Sequence, residues 1–380
     1  MGKKYDAVVA GYTCVDLILD FRKNSSVEAD ISSFFKPGKL IEIEGMNFVL
    51  GGVVPNTGMM MEKFGKKVFL NGLIGNDLMG KIAEDRLTRA RVTIHMVKTG
   101  SSGTAFSIVL APPGIDRIFL ESPGCNQYFS PEHIDFDAIK ESKLFHFGYP
   151  PLLRQFYLNN GKHLTQMFSE VKKMDVVTSL DFSLPDPESE SGKANWPVIL
   201  KKTLPYIDLF VPSLEELLQT MMPAEYAEIQ SMPGNAEIVD RIPLDLVKEI
   251  GHRIIDSGVK ILLVKMGRRG AFLLSGDISS LNKRTGFSLD EGKWNNREIL
   301  CNAYTVDQSK LKSATGAGDT AVAAFLTALL NSEFPETAIK YATMAGRESL
   351  YSEDIYKEIE SWEQLTKKIQ TEPNELIGVS

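Results

Sequence analysis

Hydrophobic and polar positions follow two different periods along most of the chain. Short runs rich in Val, Ile, Leu and Phe precede longer stretches in which apolar residues recur every three or four positions. The runs predict core strands at residues 5–11, 66–75, 142–148, 175–182, 206–212 and 259–267. The stretches predict amphipathic helices at residues 77–90, 152–173, 244–258, 319–331 and 335–351. This alternation of strands and helices predicts an α/β fold built on a parallel sheet.

Two regions interrupt this alternation. Residues 39–50 and 103–121 predict strands with no helix between them, and Pro112-Pro113-Gly114 predicts a hairpin turn in the second. Strands outside strand–helix units indicate a small separate sheet, of the kind that forms a lid. Polar residues, Pro and Gly are frequent in four further segments, which we predict to be loops or insertions: 22–38, 183–195, 222–242 and 276–300.

Composition narrows the class of protein. The chain has 380 residues, 43% of them hydrophobic and 24% charged, as is ordinary for a globular protein. A formal net charge of -7 argues against nucleic acid as the main partner. The three cysteines, Cys14, Cys125 and Cys301, lie far apart, which argues against a zinc site or a disulfide framework. Neither a signal peptide nor a long apolar run is present, so we expect a cytoplasmic protein with no membrane partner.

The strongest local signal is SATGAGDTAVAAF at residues 313–325. Gly316 and Gly318 allow a tight turn and a close approach of the backbone to a ligand. A helix that begins near Asp319 leaves its first N–H groups unpaired, so this end of the helix can bind an anion. Asp319 either stabilises the helix dipole as a first-turn acid or acts as a general base toward a hydroxyl that attacks a phosphoryl group. The motif alone leaves both roles open.

Two other phosphate-binding patterns compete with this one. GNDLMGKI at residues 75–82 nearly matches the P-loop pattern, but Ile82 stands where a hydroxyl must bind Mg²⁺. GAGDTA at residues 316–321 fits the dinucleotide pattern, which belongs in the first turn of a strand–helix–strand unit. Here it lies late in the chain, and Glu336 at the relevant offset begins a helix instead of ending a strand. The sequence therefore gives little support to a dinucleotide-dependent oxidoreductase.

Five segments, in this order, resemble the ribokinase-like (PfkB-type) carbohydrate kinases. They are GGVVPNTGMMMEKFG (51–65), IGNDLMG (74–80), VPSLEE (211–216), VKMGRRGAF (264–272) and TGAGD (315–319). Each match is short, but five matches in one order make chance improbable. The resemblance spans most of the chain, from Asp16 to the 320s.

The resemblance implies a fold and an activity. The implied fold is a three-layer α/β/α sandwich with a small β-sheet lid, which agrees with the separate sheet predicted above. We expect a single domain over residues 1–380, with the lid formed roughly by residues 12–50 and 102–125. The implied enzyme is a carbohydrate kinase that uses ATP and Mg²⁺ to phosphorylate a hydroxymethyl group of a sugar or a related small molecule.

The resemblance also assigns roles to residues. It implies that Asp319 is the base and that the backbone N–H groups of Gly316, Ala317 and Gly318 stabilise charge on the transferred phosphoryl group. The residues implied to contact the substrate are Asp16, Gly52 and Asn56. The residues implied to bind the nucleotide are Ser213, Gly267 and Thr315. Glu216 is implied to orient Mg²⁺ through water, in keeping with the oxygen ligands that this cation prefers.

The sequence departs from the family pattern at two positions. Ser213 stands where the family has Asn in its N-x-x-E element, and a hydroxyl there can still hold a water near Mg²⁺. Ser313 stands where members activated by potassium have an Asp, which puts dependence on a monovalent cation in doubt. These departures motivate the second hypothesis, a sugar- or nucleotide-binding protein of the same fold with weakened catalysis. The presence of Asp319 and Gly318 favours the kinase.

Simpler structural roles remain open for several of these residues. Asp16 could be a turn residue, Asn56 the N-cap of a helix over 57–64, and Glu216 an exposed helix acid. Asp181 ends a predicted strand, where it could bind a ligand or cap a helix. Two further groups are predicted to pack in the core, namely His146 and the run Met59, Met60 and Met61.

The acceptor itself is not fixed by the sequence. A sugar, a sugar acid or a nucleoside would each suit the family. Phe48, Phe106 and Arg117 are candidates for lining the acceptor pocket, although Arg117 could equally pair on an exposed edge. Exposed edges of the lid could pair with a second copy of the chain, so we expect a homodimer through the lid.

Overall fold

The computed structural model describes residues 2–21, 36–90, 92–110, 118–234, 236–284 and 286–378. The strands are β1 (Tyr5–Gly11), β2 (Cys14–Asp20), β3 (Gly45–Gly51), β4 (Val68–Gly75), β5 (Thr93–Thr99), β6 (Phe106–Leu110), β7 (Ile118–Ser122), β8 (Ser142–Gly148), β9 (Val177–Asp181), β10 (Leu209–Phe210), β11 (Ile261–Lys265), β12 (Ala271–Ser275), β13 (Glu298–Cys301) and β14 (Leu376–Ile377). The helices are α1 (Val53–Lys63), α2 (Leu78–Arg89), α3 (Phe136–Lys140), α4 (Arg154–Lys172), α5 (Trp196–Thr203), α6 (Leu214–Met221), α7 (Pro223–Ser231), α8 (Ile238–Arg241), α9 (Leu244–Asp256), α10 (Ser279–Asn282), α11 (Glu291–Trp294), α12 (Ala317–Leu330), α13 (Pro335–Ser349), α14 (Ile355–Glu358) and α15 (Trp362–Thr371).

The larger sheet has ten strands in the order β14-β13-β12-β11-β10-β9-β8-β1-β4-β5. Seven neighbouring strands of this sheet are parallel, namely β11, β10, β9, β8, β1, β4 and β5. Beyond β11, the strands β12, β13 and β14 extend the sheet in antiparallel pairs. Because parallel strands place their carboxyl ends at one edge of the sheet, the turns that follow β8, β9, β10 and β11 converge there. Ligands of open α/β sheets bind at this edge.

Alternating residues of the central strands pack into two separate cores. Val8 and Ala10 of β1 belong to one core together with buried residues of α3, α4, α5 and α9. Ala7 and Val9, on the opposite face of the same strand, belong to the other core with α1, α12 and α13. Successive side chains of a strand point to opposite faces, so a strand buried on both faces is apolar throughout. The predicted three-layer α/β/α sandwich is confirmed.

A smaller sheet of four strands, in the order β3-β2-β6-β7, forms the predicted lid. Asp16 of β2 lies opposite Val49 on one side and Ser107 on the other. The predicted hairpin turn at residues 112–114 and Arg117 lie outside the described residues. The domain limits and the homodimer stay predictions. On the lid, Phe119 and Leu120 of β7 have 49% and 51% of their surface accessible.

Two segments predicted to be loops or insertions contain regular structure, so the loop alternative is wrong for both. Residues 222–242 include α7 and α8, and Pro223 lies in the first turn of α7, where a missing N–H costs nothing. Residues 276–300 include α10, α11 and the start of β13, which pairs with β12. The strand predicted at 206–212 is paired only at Leu209 and Phe210. The loop predicted at 183–195 is present, and most of 22–38 lies outside the described residues.

The helices give no sign of a membrane span. In the part of the chain that the structure describes, no helix combines the length and the apolar character needed to cross a bilayer.

Candidate active site

The turn before α12 places a helix N-terminus at the carboxyl edge of the large sheet. Gly316 is the N-cap residue and has a φ of 77°, a left-handed conformation that glycine adopts without strain. The helix starts at Ala317, so the N–H groups of its first turn lack the carbonyl partners found further along a helix. The N–H of Ala317 lies 3.3 Å from the carbonyl oxygen of Ala314. This end of α12 can therefore bind an anion, chiefly through the N–H groups that follow.

Asp319 lies in the first turn of α12 and its side chain is held by two donors. The Nδ2 atom of Asn56 lies 2.9 Å from its Oδ2 atom, and the hydroxyl of Tyr149 lies 2.7 Å from its Oδ1 atom. Burial raises the pKa of the Asp319 carboxyl, although the hydrogen bonds from Tyr149 and Asn56 act in the opposite direction. A buried carboxylate with a raised pKa is a better proton acceptor than a free one, as a general base requires.

Asp319 borders a cleft of about 530 Å³, within the range of small-molecule sites. The residues that line this cleft include the polar or charged side chains of Ser213, Glu216, Lys265, Arg268, Arg347 and Asp319. They also include the apolar residues Ala303, Tyr304, Val306 and Leu350. A nucleotide needs both kinds of neighbour, because its phosphates are charged and its base is aromatic.

Two of the three predicted nucleotide-binding residues line the cleft, and the third does not. Ser213 and Gly267 line the cleft, and Gly267 has a φ of 54°. Thr315 is exposed and does not belong to the residues that line the cleft; its N–H donates to the Oγ atom of Ser313 at 3.1 Å. A contact of Thr315 with the nucleotide stays a prediction.

Ser213 and Glu216 form a reciprocal cap at the start of α6. The N–H of Glu216 donates to the Oγ atom of Ser213 at 3.3 Å, and the N–H of Ser213 donates to the Oε2 atom of Glu216 at 2.6 Å. Serine at the first position of this element therefore fits the local structure. Glu216 is only partly exposed and lines the cleft, so its description as an exposed helix acid is wrong.

The sequence analysis missed the partner of Asp181. Asp181 is buried at the end of β9, and the Nζ atom of Lys265 at the end of β11 lies 2.8 Å from its Oδ1 atom. Burial raises the pKa of Asp181 to about 7; Lys265 opposes this rise, and the carboxylates of Glu216 and Asp319 add to it. The Oδ2 atom of Asp181 is buried and has no hydrogen-bond partner among the described residues. A lysine that ends an apolar run, as in ILLVK, was the available signal.

A divalent cation fits this group of carboxylates. Mg²⁺ usually reaches a protein through one or two carboxylates and keeps several waters. Glu216 and Asp319 line the cleft, whereas Asp181 is fully buried and paired with Lys265. Within the described ranges, three or more His, Cys, Asp or Glu side chains do not converge on one metal position. The donor set therefore suits a cation whose other ligands are phosphate oxygens and water.

The predicted substrate residues lie between the lid and α1. Asp16 is in the middle of β2 and buried, so the alternative of a turn residue is wrong. Burial raises its pKa to about 6, against the hydrogen bonds from Cys14 and Ser107. Gly52 is the N-cap residue of α1, with a φ of 91° and a ψ of 164°.

Asn56 connects Asp319 to Tyr356 in the C-terminal part of the chain. It lies inside α1, which begins at Val53, so its alternative role as the N-cap of a helix over 57–64 is wrong. The hydroxyl of Tyr356 donates to its Oδ1 atom at 3.1 Å, while its Nδ2 atom donates to Asp319. Burial, and then the carboxylates of Asp319, Asp354 and Asp16, raise the pKa of Tyr356 well above its ordinary value. Tyr356 therefore lies near both the base and the predicted substrate residue of the lid.

The remaining predicted residues lie in the core or the lid. His146 is buried in β8 beside the Oγ atom of Ser179, and burial lowers its pKa to about 3, so it is uncharged. Met59, Met60 and Met61 are buried in α1, as predicted. Phe48 and Phe106 are partly buried in β3 and β6 of the lid.

Comparisons with known proteins agree with this architecture. A family model described as pfkB family carbohydrate kinase matches residues 6–358. A 5-dehydro-2-deoxygluconokinase of Listeria monocytogenes is 23% identical over 350 residues, which cover 90% of this chain and 89% of that protein. An uncharacterized sugar kinase of Archaeoglobus fulgidus is 24% identical over 270 residues, covering 70% and 85%. The structure of Arabidopsis thaliana ribokinase complexed with ribose and ATP superposes with a TM-score of 0.69 at 18% identity, over 97% of this chain and 99% of that one.

Proposed function

Because the chain belongs to the pfkB family of carbohydrate kinases, we propose that it transfers the γ-phosphoryl group of Mg-ATP to a hydroxymethyl group of a sugar or a related small molecule, with Asp319 as general base. As a carbohydrate kinase, the protein is a transferase with an alcohol group as acceptor. One observation carries the finer proposal. The buried carboxylate of Asp319 and the N-terminus of α12 border the same cleft of about 530 Å³.

In the proposed reaction, positioning and charge stabilisation supply most of the catalysis. The acceptor hydroxyl gives its proton to a carboxylate oxygen of Asp319 and forms a bond to the γ-phosphorus atom. The bond between this phosphorus and the oxygen that bridges to the β-phosphate breaks, and ADP leaves with that oxygen. The N–H groups of Gly316 and Gly318 donate to oxygens of the transferred group, and that of Ala317 joins them by giving up its 3.3 Å contact with the carbonyl oxygen of Ala314. Tyr149 and Asn56 hold the carboxylate of Asp319 in place.

The residues that line the cleft support ATP and Mg²⁺ as cofactors. Glu216 would hold Mg²⁺ through water, and Ser213 and Gly267 would contact the nucleotide. When bound, Mg²⁺ neutralises negative charge on the phosphates. Arabidopsis ribokinase was crystallised with ATP, and an Escherichia coli protein described as a putative ribokinase II was crystallised with ATP and Mg²⁺. Both structures support ATP as the nucleotide for this chain, and the second supports Mg²⁺ as well.

Asp16, Gly52 and Asn56 make up the proposed acceptor site beneath the lid. A carboxylate and an amide can together bind neighbouring hydroxyls of a polyol. The names of the relatives, a 5-dehydro-2-deoxygluconokinase and a ribokinase, support a sugar-like acceptor. Closure of the lid over this site would exclude water and so limit hydrolysis of ATP.

The proposed function is tested by measuring ADP release from Mg-ATP in the presence of individual sugars, sugar acids and nucleosides. We expect at least one acceptor to give turnover that depends on both Mg²⁺ and the acceptor. Binding of ATP without ADP release for all three classes would favour the catalytically weakened binding protein. Affinity for NAD(P) without any need for Mg²⁺ would favour the oxidoreductase.

The acceptor site should respond to pH through Asp16. Its pKa of about 6 means that the carboxylate is mostly ionised at pH 7 and mostly protonated at pH 5. Its ionised fraction then falls about tenfold between these pH values, and we expect the KM for the acceptor to rise by about the same factor. Asp16→Asn should have a high KM that no longer varies over this range. An unchanged pH dependence of KM in this variant would contradict the assigned contact.

A further inference from the structure

Lys265 ends β11 and extends its side chain into the candidate active site. Its ammonium group lies 2.8 Å from the Oδ1 atom of Asp181, and the side chain is only 14% exposed. A Cβ atom built on Gly318 would lie 3.7 Å from the Nζ atom of Lys265. The ammonium group therefore lies beside the turn whose N–H groups open toward the cleft. Its neighbours at this edge of the sheet are Gly318, Asp181 and Glu216.

The charge of Lys265 is maintained by its surroundings. Burial alone would lower its pKa, but the carboxylates of Asp181, Glu216 and Asp319 together raise it above its ordinary value. The ion pair with Asp181 and the low exposure of the side chain leave the ammonium group already desolvated and already oriented. Such a cation interacts with a phosphoryl group more strongly than one in water does, and it needs no reorganisation during the reaction.

A purely structural ion pair explains these observations less well. Replacing a buried ion pair with apolar residues is often neutral or stabilising, so a buried pair is weak support for a stability role. The pair Asp181–Lys265 bridges β9 and β11 at the edge where the nucleotide cleft opens, and Lys265 itself lines that cleft. Asp208, which lies just before β10, forms a comparable buried pair with Lys172. Asp208 also accepts a hydrogen bond from the N–H of Thr178 in β9. That pair lies at the amino-terminal ends of the same strands, away from the cleft.

We propose that Lys265 is a catalytic residue that donates a hydrogen bond to an oxygen of the phosphoryl group during its transfer, and that Asp181 positions it. This proposal rests on the proposed kinase activity. Lys265 remains protonated throughout, so the proton of the acceptor still goes to Asp319 and no further group gains or loses a proton. The ammonium group stabilises the charge on the transferred group from beside the N-terminus of α12, next to Gly318. Asp181 releases part of its hold on Lys265 when the phosphate arrives.

The first test compares Lys265→Met with Lys172→Met. Methionine has nearly the same length as lysine, and each variant removes the cation of one buried pair. We expect kcat of Lys265→Met to fall by about 10²–10³-fold, as for removal of one preorganised donor to a transition-state oxygen. Lys172→Met should retain kcat within about threefold of the unaltered enzyme, because its pair is remote from the cleft. Similar kcat values for the two variants would overturn the proposal.

A second test separates contact with the phosphoryl group from support of the fold. Lys265→Arg retains the charge, so it should recover part of the lost kcat if the cation contacts the phosphoryl group. Asp181→Asn should lower kcat more than it raises the KM for ATP, because it loosens a transition-state contact without removing it. Equal losses for the Arg and Met variants, together with normal kcat in Asp181→Asn, would also overturn the proposal.

Binding measurements distinguish failure of this proposal from failure of the proposed function. Calorimetry with Mg-ATP and Mg-ADP needs no acceptor. We expect Lys265→Met to lose about tenfold or more of its affinity for Mg-ATP, and to bind Mg-ADP nearly as the unaltered protein does, because a charged hydrogen bond to the γ-phosphoryl group is missing. Unchanged affinity for both nucleotides would count against Lys265 even if the enzyme is an active kinase. Lack of turnover with every acceptor would instead count against the kinase proposal, while the loss specific to ATP would still support the contact.

Discussion

Replacing Asp319 by asparagine is expected to lower kcat by about 10³–10⁴-fold, near the upper end of what a positioned general base contributes. The amide of asparagine cannot accept the proton of the acceptor hydroxyl, so the attacking oxygen keeps its proton in the transition state. Affinity for Mg-ATP should stay within about threefold, because the N–H groups that bind the phosphates belong to the backbone. Steady-state kinetics and calorimetry on the same preparation measure both quantities.

The folded structure should tolerate this change. The carboxylate of Asp319 accepts from Asn56 and Tyr149, and an amide oxygen can still accept from one of them. The other donor then faces the NH₂ group, which costs one hydrogen bond. This loss is offset because the variant has no charge to bury. In the unaltered protein, desolvation of the Asp319 carboxylate is unfavourable and is the main cause of its raised pKa. We therefore expect a small change in the free energy of unfolding beside a very large loss of turnover.

A matched control, Asp245→Asn, distinguishes a general base at Asp319 from an acid that only stabilises the helix dipole. Asp245 lies in the first turn of α9, where its charge interacts with the dipole of that helix. Asp245→Asn removes the same charge from the first turn of a helix that does not line the cleft, one position nearer the start of that helix than Asp319 is in α12. It should leave kcat unchanged and cost only about 0.3–1 kcal/mol of stability. A kcat for Asp319→Asn within tenfold of the value for Asp245→Asn would eliminate Asp319 as the base.

Local sequence patterns predicted the features that depend on neighbours in the chain. The apolar runs of the central strands place their residues in two cores, and the turn at Gly316 needs only the conformational freedom of glycine. Asp319 follows this turn directly, so its place at the anion-binding end of α12 could be predicted from a few residues. The helices within 222–242 escaped prediction because the segment is rich in polar residues, Pro and Gly, although Pro223 lies in the first turn of a helix, where proline is tolerated.

The contacts that organise the site join residues far apart in the chain, and no local pattern records them. Lys265 reaches Asp181 across β10, over a separation of 84 residues. Tyr356 bonds to Asn56 over a separation of 300 residues, and Tyr149 bonds to Asp319 from a left-handed backbone conformation with a φ of 66°. Each partner taken alone is an ordinary strand-end, loop or helix residue. Only the order of the strands in the sheet brings these side chains to one edge.

Gly52→Ala is expected to cause a large loss of stability. The φ of 91° and ψ of 164° of Gly52 lie in a region that is essentially restricted to glycine, and a Cβ atom there would lie 2.4 Å from the carbonyl oxygen of Tyr12. Backbone strain and this overlap each cost about 1–3 kcal/mol, so we expect a loss of about 3–5 kcal/mol in the free energy of unfolding, measured by urea denaturation.

Gly65→Ala is the matched control for the overlap, because Gly65 also has a positive φ, of 88°, but a Cβ atom there would have no neighbour within 4 Å. It should cost only about 1–2 kcal/mol, the strain of the backbone alone. Equal losses in the two variants would show that the carbonyl of Tyr12 does not confine Gly52. Gly52 joins β3 of the lid to α1, and α1 carries Asn56, which holds the base. The fraction of Gly52→Ala that remains folded should therefore lose kcat as well, whereas Gly65→Ala, at the far end of α1, should keep it.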